Sequence, residues 1–132
     1  ALNNFKHIII IADSCYSGTL TASRSSISIP NNIEKRMMNY RSFNNLKTRV
    51  ALTSGNLNEV QDSYENTSHS PFAISLNNIL NNNDDVLLSS ELHNYIADSL
   101  LNIDNFPDPT HGVIKNATGL VNFGRNFIFV KQ

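Results

Sequence analysis

A chain with one cysteine cannot close an internal disulfide, and that places the protein with those that fold in a reducing compartment. The expected location is therefore cytoplasmic. Tryptophan is absent, and no apolar run approaches the roughly 20 residues that a membrane helix requires. The first apolar run has almost no basic residues before it and leads straight into Asp13-Ser14-Cys15, so a signal peptide is not expected. Charge of one sign is lacking too: the net charge is −1, which gives no basic field for nucleic acid or membrane surfaces. There is no Cys-x-x-Cys, no Gly-x-Ser-x-Gly, no glycine-rich phosphate loop and no cluster of metal ligands in the sequence. Asp84-Asp85 and Asp104/Asp108 lack the spacing of an EF-hand loop. No metal and no cofactor are expected.

What remains is an ordinary globular composition, 40% apolar and 16% charged, with room in 132 residues for one cored domain. Asparagine is over-used, at 21 residues. This reads as compositional bias, and the sequons at Asn66 and Asn116 follow from it by chance.

Residues 6–12, Lys-His-Ile-Ile-Ile-Ile-Ala, do not alternate. A short β-branched run of this kind predicts a strand buried on both faces of a parallel sheet, ending at the turn-like stretch from Asp13 to Gly18. Residues 21–48 are rich in Ser and Asn, hold Arg24, Lys35, Arg36, Arg41 and Lys47, and show no sustained period. They read as a mobile linker with room for a short helix around Ile33 to Tyr40. Residues 49–54 predict a second buried strand ending at Gly55. Ser70-Pro71 predicts a helix start, with Phe72, Leu76, Ile79 and Leu80 on one face and the run Asn81 to Asp85 as its end. Ser89 or Ser90 caps a further helix carrying Leu92, Tyr95, Ile96 and Leu100. Pro107 and Pro109 break the chain, and Phe127 to Val130 predicts a closing strand. The layout is α/β. A doubly covered strand needs neighbours on both sides, and only two others are evident. The remaining strands of the sheet are therefore expected upstream, on another chain or another part of the protein.

Cys15 lies just past the carboxyl end of the first strand, where open α/β sheets place reacting groups. A thiol nucleophile needs exposure, a lowered pKa and backbone N–H groups for an oxyanion. A buried structural cysteine is the competing reading. The hexapeptide Asp13-Ser14-Cys15-Tyr16-Ser17-Gly18 after an isoleucine strand resembles the nucleophile motif of metacaspases and bacterial caspase-like proteases, where animal caspases have Gln-Ala-Cys. Val50 to Gly55 is similar to the strand that follows the intersubunit linker of that family. His69-Ser70-Pro71-Phe72 is similar to the start of its next helix, and Phe127 to Val130 to its closing strand.

The resemblance implies a mostly parallel caspase-like sheet flanked by helices, only part of it in this chain. Residues 1–20 would form the nucleophile strand and loop, 21–48 a linker with processing sites, and 49–132 a small-subunit-like region. It implies a cysteine endopeptidase working through a Cys–His dyad, with Cys15 as nucleophile and its backbone N–H as one oxyanion donor. The family's histidine precedes the cysteine by several tens of residues and is followed by Gly. His7 stands only eight positions before Cys15, His69 falls in the helix-start motif, and His93 sits on the polar side of a helix. His111-Gly112 has the right dipeptide but lies downstream in a Pro-flanked loop. The base is thus expected from an upstream half of the domain, a required partner alongside the protein or peptide substrate.

In metacaspases the position of Asp13 is an acid of the S1 pocket. A buried carboxylate there pairs with Arg or Lys at P1. Glu59 or Asp62 would add a second acid, with Asp62 preferred; solvated loop charges are the alternative for these two, and a turn-capping role for Asp13. Arg24, Arg36 and Arg41 are candidates for self-cleavage, with Lys35 and Lys47 as further basic positions, against the reading of an ordinary charged loop. Some relatives need Ca²⁺ and others a partner or sensor domain, often in bacterial defence or signalling. A non-catalytic caspase-like scaffold is the second reading, and a hydrolase or redox domain with one reactive thiol a weak third.

Overall fold

The computed structural model describes residues 4–14, 20–24, 32–55, 67–103, 106, 108–114 and 124–131. Their order is β1 (His7–Ala12), β2 (Thr21–Arg24), α1 (Ile33–Asn45), β3 (Thr48–Thr53), α2 (Pro71–Asn82), β4 (Leu87–Leu88), α3 (Ser89–Leu100), β5 (Thr110–Ile114) and β6 (Ile128–Phe129). The architecture is α/β, as the sequence predicts.

Four strands form one sheet in the order β1-β3-β5-β2. β1 and β3 are parallel and in step, from His7 opposite Thr48 to Ala12 opposite Thr53. β5 runs antiparallel to β3, with His111 opposite Leu52 and Gly112 opposite Ala51, and β2 runs antiparallel to β5. Among the described residues the sheet is therefore mixed, with one parallel pairing in three, and not mostly parallel. The difference comes from β5: Pro107 and Pro109 precede a strand and do not enclose a loop, so His111-Gly112 lies mid-sheet.

β3 is the centre. Val50, Ala51, Leu52 and Thr53 are fully buried, as neighbours on both sides and α2 and α3 above require. β1 is not buried on both faces. It bonds to β3 along one edge only, and Ile10 and Ile11 each remain 37% exposed. Among the described residues its other edge has no partner strand. A β-branched run encodes the strand but not the neighbour that would cover it.

The core lies on the Ile9 and Leu52 side. Leu52, Phe72, Leu87, Leu92, Ile96 and Leu100 form one buried cluster, with Leu76, Ile79, Leu80 and Phe129 packed against it. α2 begins as expected: the Ser70 hydroxyl accepts from the Ala73 N–H at 3.0 Å, and Pro71 fills the first turn. α3 begins differently. Neither Ser89 nor Ser90 is the cap; Leu88 is, and the Glu91 carboxylate accepts its backbone N–H at 2.9 Å. The serines are free for other work because that carboxylate does the capping.

The stretch read as a linker holds β2 and the thirteen-residue α1. Asn32 caps α1 by accepting from the N–H groups of Glu34 and Lys35. The helix lacks an apolar stripe, and Met37 and Met38 are exposed. Its tie to the body is polar: Arg36 donates to Tyr40 Oη one turn on and pairs with Glu91 of α3 at 3.0 Å. The closing strand is shorter than expected. β6 pairs antiparallel with β4 in a separate two-stranded ribbon and does not join the main sheet. Just before it, Gly124 bridges to Thr48, its N–H donating to Lys47 O at 2.8 Å.

Candidate functional site

The carboxyl ends of β1 and β3 lie side by side, and the Ser54 N–H donates to Ala12 O at 3.0 Å. Asp13 follows at once; it is exposed, not the buried carboxylate that the pocket reading expects. Its Oδ2 accepts from the Ser70 hydroxyl at 2.5 Å. One hydroxyl thus serves two partners: it accepts from the first turn of α2 and donates to Asp13. The carboxylate is held at a helix N-terminus, where the helix dipole favours negative charge. Through Oδ2 Asp13 reaches across the fold to a helix 57 positions away; the turn it would cap continues into residues 15–19, outside the described residues.

At the end of β3 the side chains are polar and buried. The Thr53 hydroxyl donates to Gly55 O at 3.0 Å and lies 2.7 Å from the Thr110 hydroxyl. Ser54 is fully buried, and its hydroxyl has no hydrogen-bond partner among the described residues. A small, solvent-shielded hydroxyl row therefore lies at the end of β3, next to the residue that precedes Ser14 and Cys15.

Cys15, Glu59 and Asp62 lie outside the described residues, as does the side chain of Arg24. Arg36 and Arg41 lie within α1. A protease takes its substrate extended, so cleavage after either requires α1 to unwind, and at Arg36 it also requires breaking the pair with Glu91.

Three of the four histidines are held by partners other than Asp13. His7 opens β1, at the far end of the strand, with Nδ1 3.2 Å from the Thr48 hydroxyl. Burial, then Lys6 and Arg49, hold it below the ordinary imidazole pKa, while Asn44 opposes the shift without reaching hydrogen-bond geometry at Nε2. His93 is half-buried and not solvated as expected, because Nε2 meets Pro109 O at 3.0 Å. His111 is buried in β5, its Nε2 2.8 Å from the Ser89 hydroxyl. Burial, with a smaller push from His93, lowers its pKa to about 4. Ser89 also accepts from the Phe127 N–H and donates to Asn126 Oδ1, and that side chain accepts from the Ser90 N–H. This network staples β5, α3 and the approach to β6. The Ser–His contact in it is structural, since both residues are buried.

His69 is the exception. It is exposed and adjacent to Ser70, hence at the same end of the sheet as Asp13. Sequence reasoning read Ser70 as a helix cap and missed its second bond. Only the pairing of β1 with α2 could have revealed it.

No family model, curated protein or solved structure matches this chain. The functional reading therefore stands on the motif and on this geometry. Among the described residues no three His, Cys, Asp or Glu side chains gather to hold a metal ion, and no helix is long and apolar enough to cross a membrane.

Proposed function

We propose that this chain is the nucleophile-bearing portion of a caspase-like cysteine endopeptidase that cleaves after Arg or Lys. The observation that carries the reading is Asp13: an exposed carboxylate at the carboxyl end of β1, two residues before Cys15, fixed by Ser70 at the start of α2. An anchored carboxylate beside a nucleophile suits a cationic P1 side chain, and the planar fork of Arg suits it best. Glu59 or Asp62 would supply a second acid.

In the proposed reaction a histidine takes the Cys15 thiol proton as sulfur attacks the scissile carbonyl carbon. The Cys15 backbone N–H faces the oxyanion. The amide C–N bond then breaks, the histidine returns the proton to the leaving amine, and water hydrolyses the thioester. His7, His93 and His111 are engaged by other partners, and His69 falls in the helix-start motif rather than in the family's His-Gly position, so the base would come from a further part of the domain, docked along the edge of β1 that has no partner strand among the described residues. The test is hydrolysis of an arginyl peptide reporter by the whole protein. Activity lost in Cys15→Ala supports the proposal, and unchanged turnover by that variant rejects it.

The second reading, a non-catalytic caspase-like scaffold, is favoured by those same three occupied histidines. A protein in which no histidine of any chain comes within hydrogen-bond reach of the Cys15 sulfur would be that scaffold. In either case the location would be cytoplasmic and the activating signal a partner or self-cleavage, without a metal.

A further inference from the structure

The amino end of β1 carries a separate cavity of about 380 Å³, at the small end of the range for ligand sites. Val86, Phe127, Ile128 and Val130 give it an apolar wall. His7, Tyr40, Arg41 and Asn44 give it a polar one. The two walls come from different elements: β1 and α1 supply the polar side, and the chain around β4 and β6 the apolar side.

Arg41 stands exposed at the cavity, and among the described residues the charged groups that act on His7 are Lys6 and Arg49. Asp85 and Glu91, the acids around this wall, act on Arg36, the partner of Tyr40. The Tyr40 hydroxyl already accepts from Arg36. His7 contributes an unmet position. The Thr48 hydroxyl donates to Asn126 O and so accepts from His7 Nδ1; Nε2 is then a shielded acceptor with no hydrogen-bond partner among the described residues, and it donates to an anion only once the ring has taken up a proton. An anion beside that ring favours its protonated form and opposes the effect of Lys6 and Arg49.

We infer that this cavity is a binding site for a small amphipathic monoanion, a carboxylate on an apolar body, with its head toward Arg41 and His7 and its body against Phe127, Ile128 and Val130. The site lies at the opposite end of β1 from Asp13 and is independent of the protease reading. A cavity of this volume accepts an unbranched chain of about eight carbons, and a ligand of that size binds in the range of about 1 mM.

Three probes of equal length and different charge test it on the whole chain: octanoate, octanol and octylammonium. Titration is followed by amide chemical shifts. Octanoate is expected to bind at least about tenfold more tightly than octanol, with octylammonium weakest, a tenfold step corresponding to about 1.4 kcal/mol. The shifts should centre on His7, Asn44, Phe127 and Ile128. Arg41→Gln, at an exposed helical position, should weaken octanoate about fivefold or more and leave octanol unchanged. Equal binding of the three probes would overturn the inference. So would shifts centred on the α2–α3 groove at Ile74, Ser99 and Ile103, or an Arg41→Gln variant that binds octanoate as the parent does.

Discussion

The two ends of β1 differ as chemistry differs from packing. At the carboxyl end Asp13 is exposed, anchored by a single hydroxyl and set beside a row of buried hydroxyls. At the amino end His7 is held by Thr48, which Gly124 and Asn126 approach in turn. One strand of six residues, about 20 Å long, connects an acidic end to a basic one. At the carboxyl end the proposed substrate's positive group would be read, and at the amino end chain segments distant in sequence are clasped together beside the proposed anion cavity.

The largest test of this contrast is on the chemical end. Cys15→Ala should reduce hydrolysis of an arginyl reporter by the whole protein by about a thousandfold or more, with the thermal midpoint nearly unchanged. A second test strikes the packing side. The pKa of His111 is about 4 in the fold, against about 6.5 in an unfolded chain. Between those values the unfolded state binds the proton and the folded state does not. The stability that neutral His111 contributes is thus complete above pH 6.5 and is lost as pH falls towards 4, by up to roughly 3 kcal/mol. Urea midpoints at pH 7 and pH 5 measure it, and His111→Gln should flatten the difference.

Gly124→Ala probes the clasp. A Cβ there would lie 2.9 Å from Thr48 Oγ1 and 3.3 Å from Leu46 Cβ, so a loss of about 2 kcal/mol in chemical denaturation is expected. Ser70→Ala probes the other end and separates two roles. Loss of the helix cap should cost about 1 kcal/mol, and loss of the Asp13 anchor should raise KM for arginyl reporters several-fold with little change in kcat. Ser70→Thr should restore both. Asn32→Ala is the smallest, about 0.5 kcal/mol at the exposed start of α1, seen as faster amide exchange in that helix.

The same contrast explains what could be read from the chain alone. β3, α2 and α3 were legible because their apolar residues are where their burial is: Val50 and Leu52 in β3, Phe72 in α2, Leu92 and Ile96 in α3; β1 was legible from its β-branched run alone. α1 was largely hidden, since its anchor is Arg36 on Glu91 and a polar contact leaves no period. β5 was hidden by the prolines before it, which make His111-Gly112 read as part of a loop until Ser89 is found beside His111 in the sheet. Of the site, the position of Asp13 at the strand end was legible. Its partner Ser70 was not, because a hydroxyl that caps a helix gives no sign of a second bond. Asp62, Glu59 and Cys15 remain readings of the motif.

The edge of β1 that has no partner strand among the described residues has a colloidal consequence. Edge strands are commonly protected by charges of one sign that repel a second copy. Here the four isoleucines are bracketed by Lys6 on one side and Asp13 on the other. A second copy lying parallel and in register would set like charges together. One lying antiparallel would set Lys6 against Asp13 and be drawn in. Whatever strand naturally covers that edge would therefore also keep the protein dispersed, and its removal should make solubility fall with concentration and recover with salt.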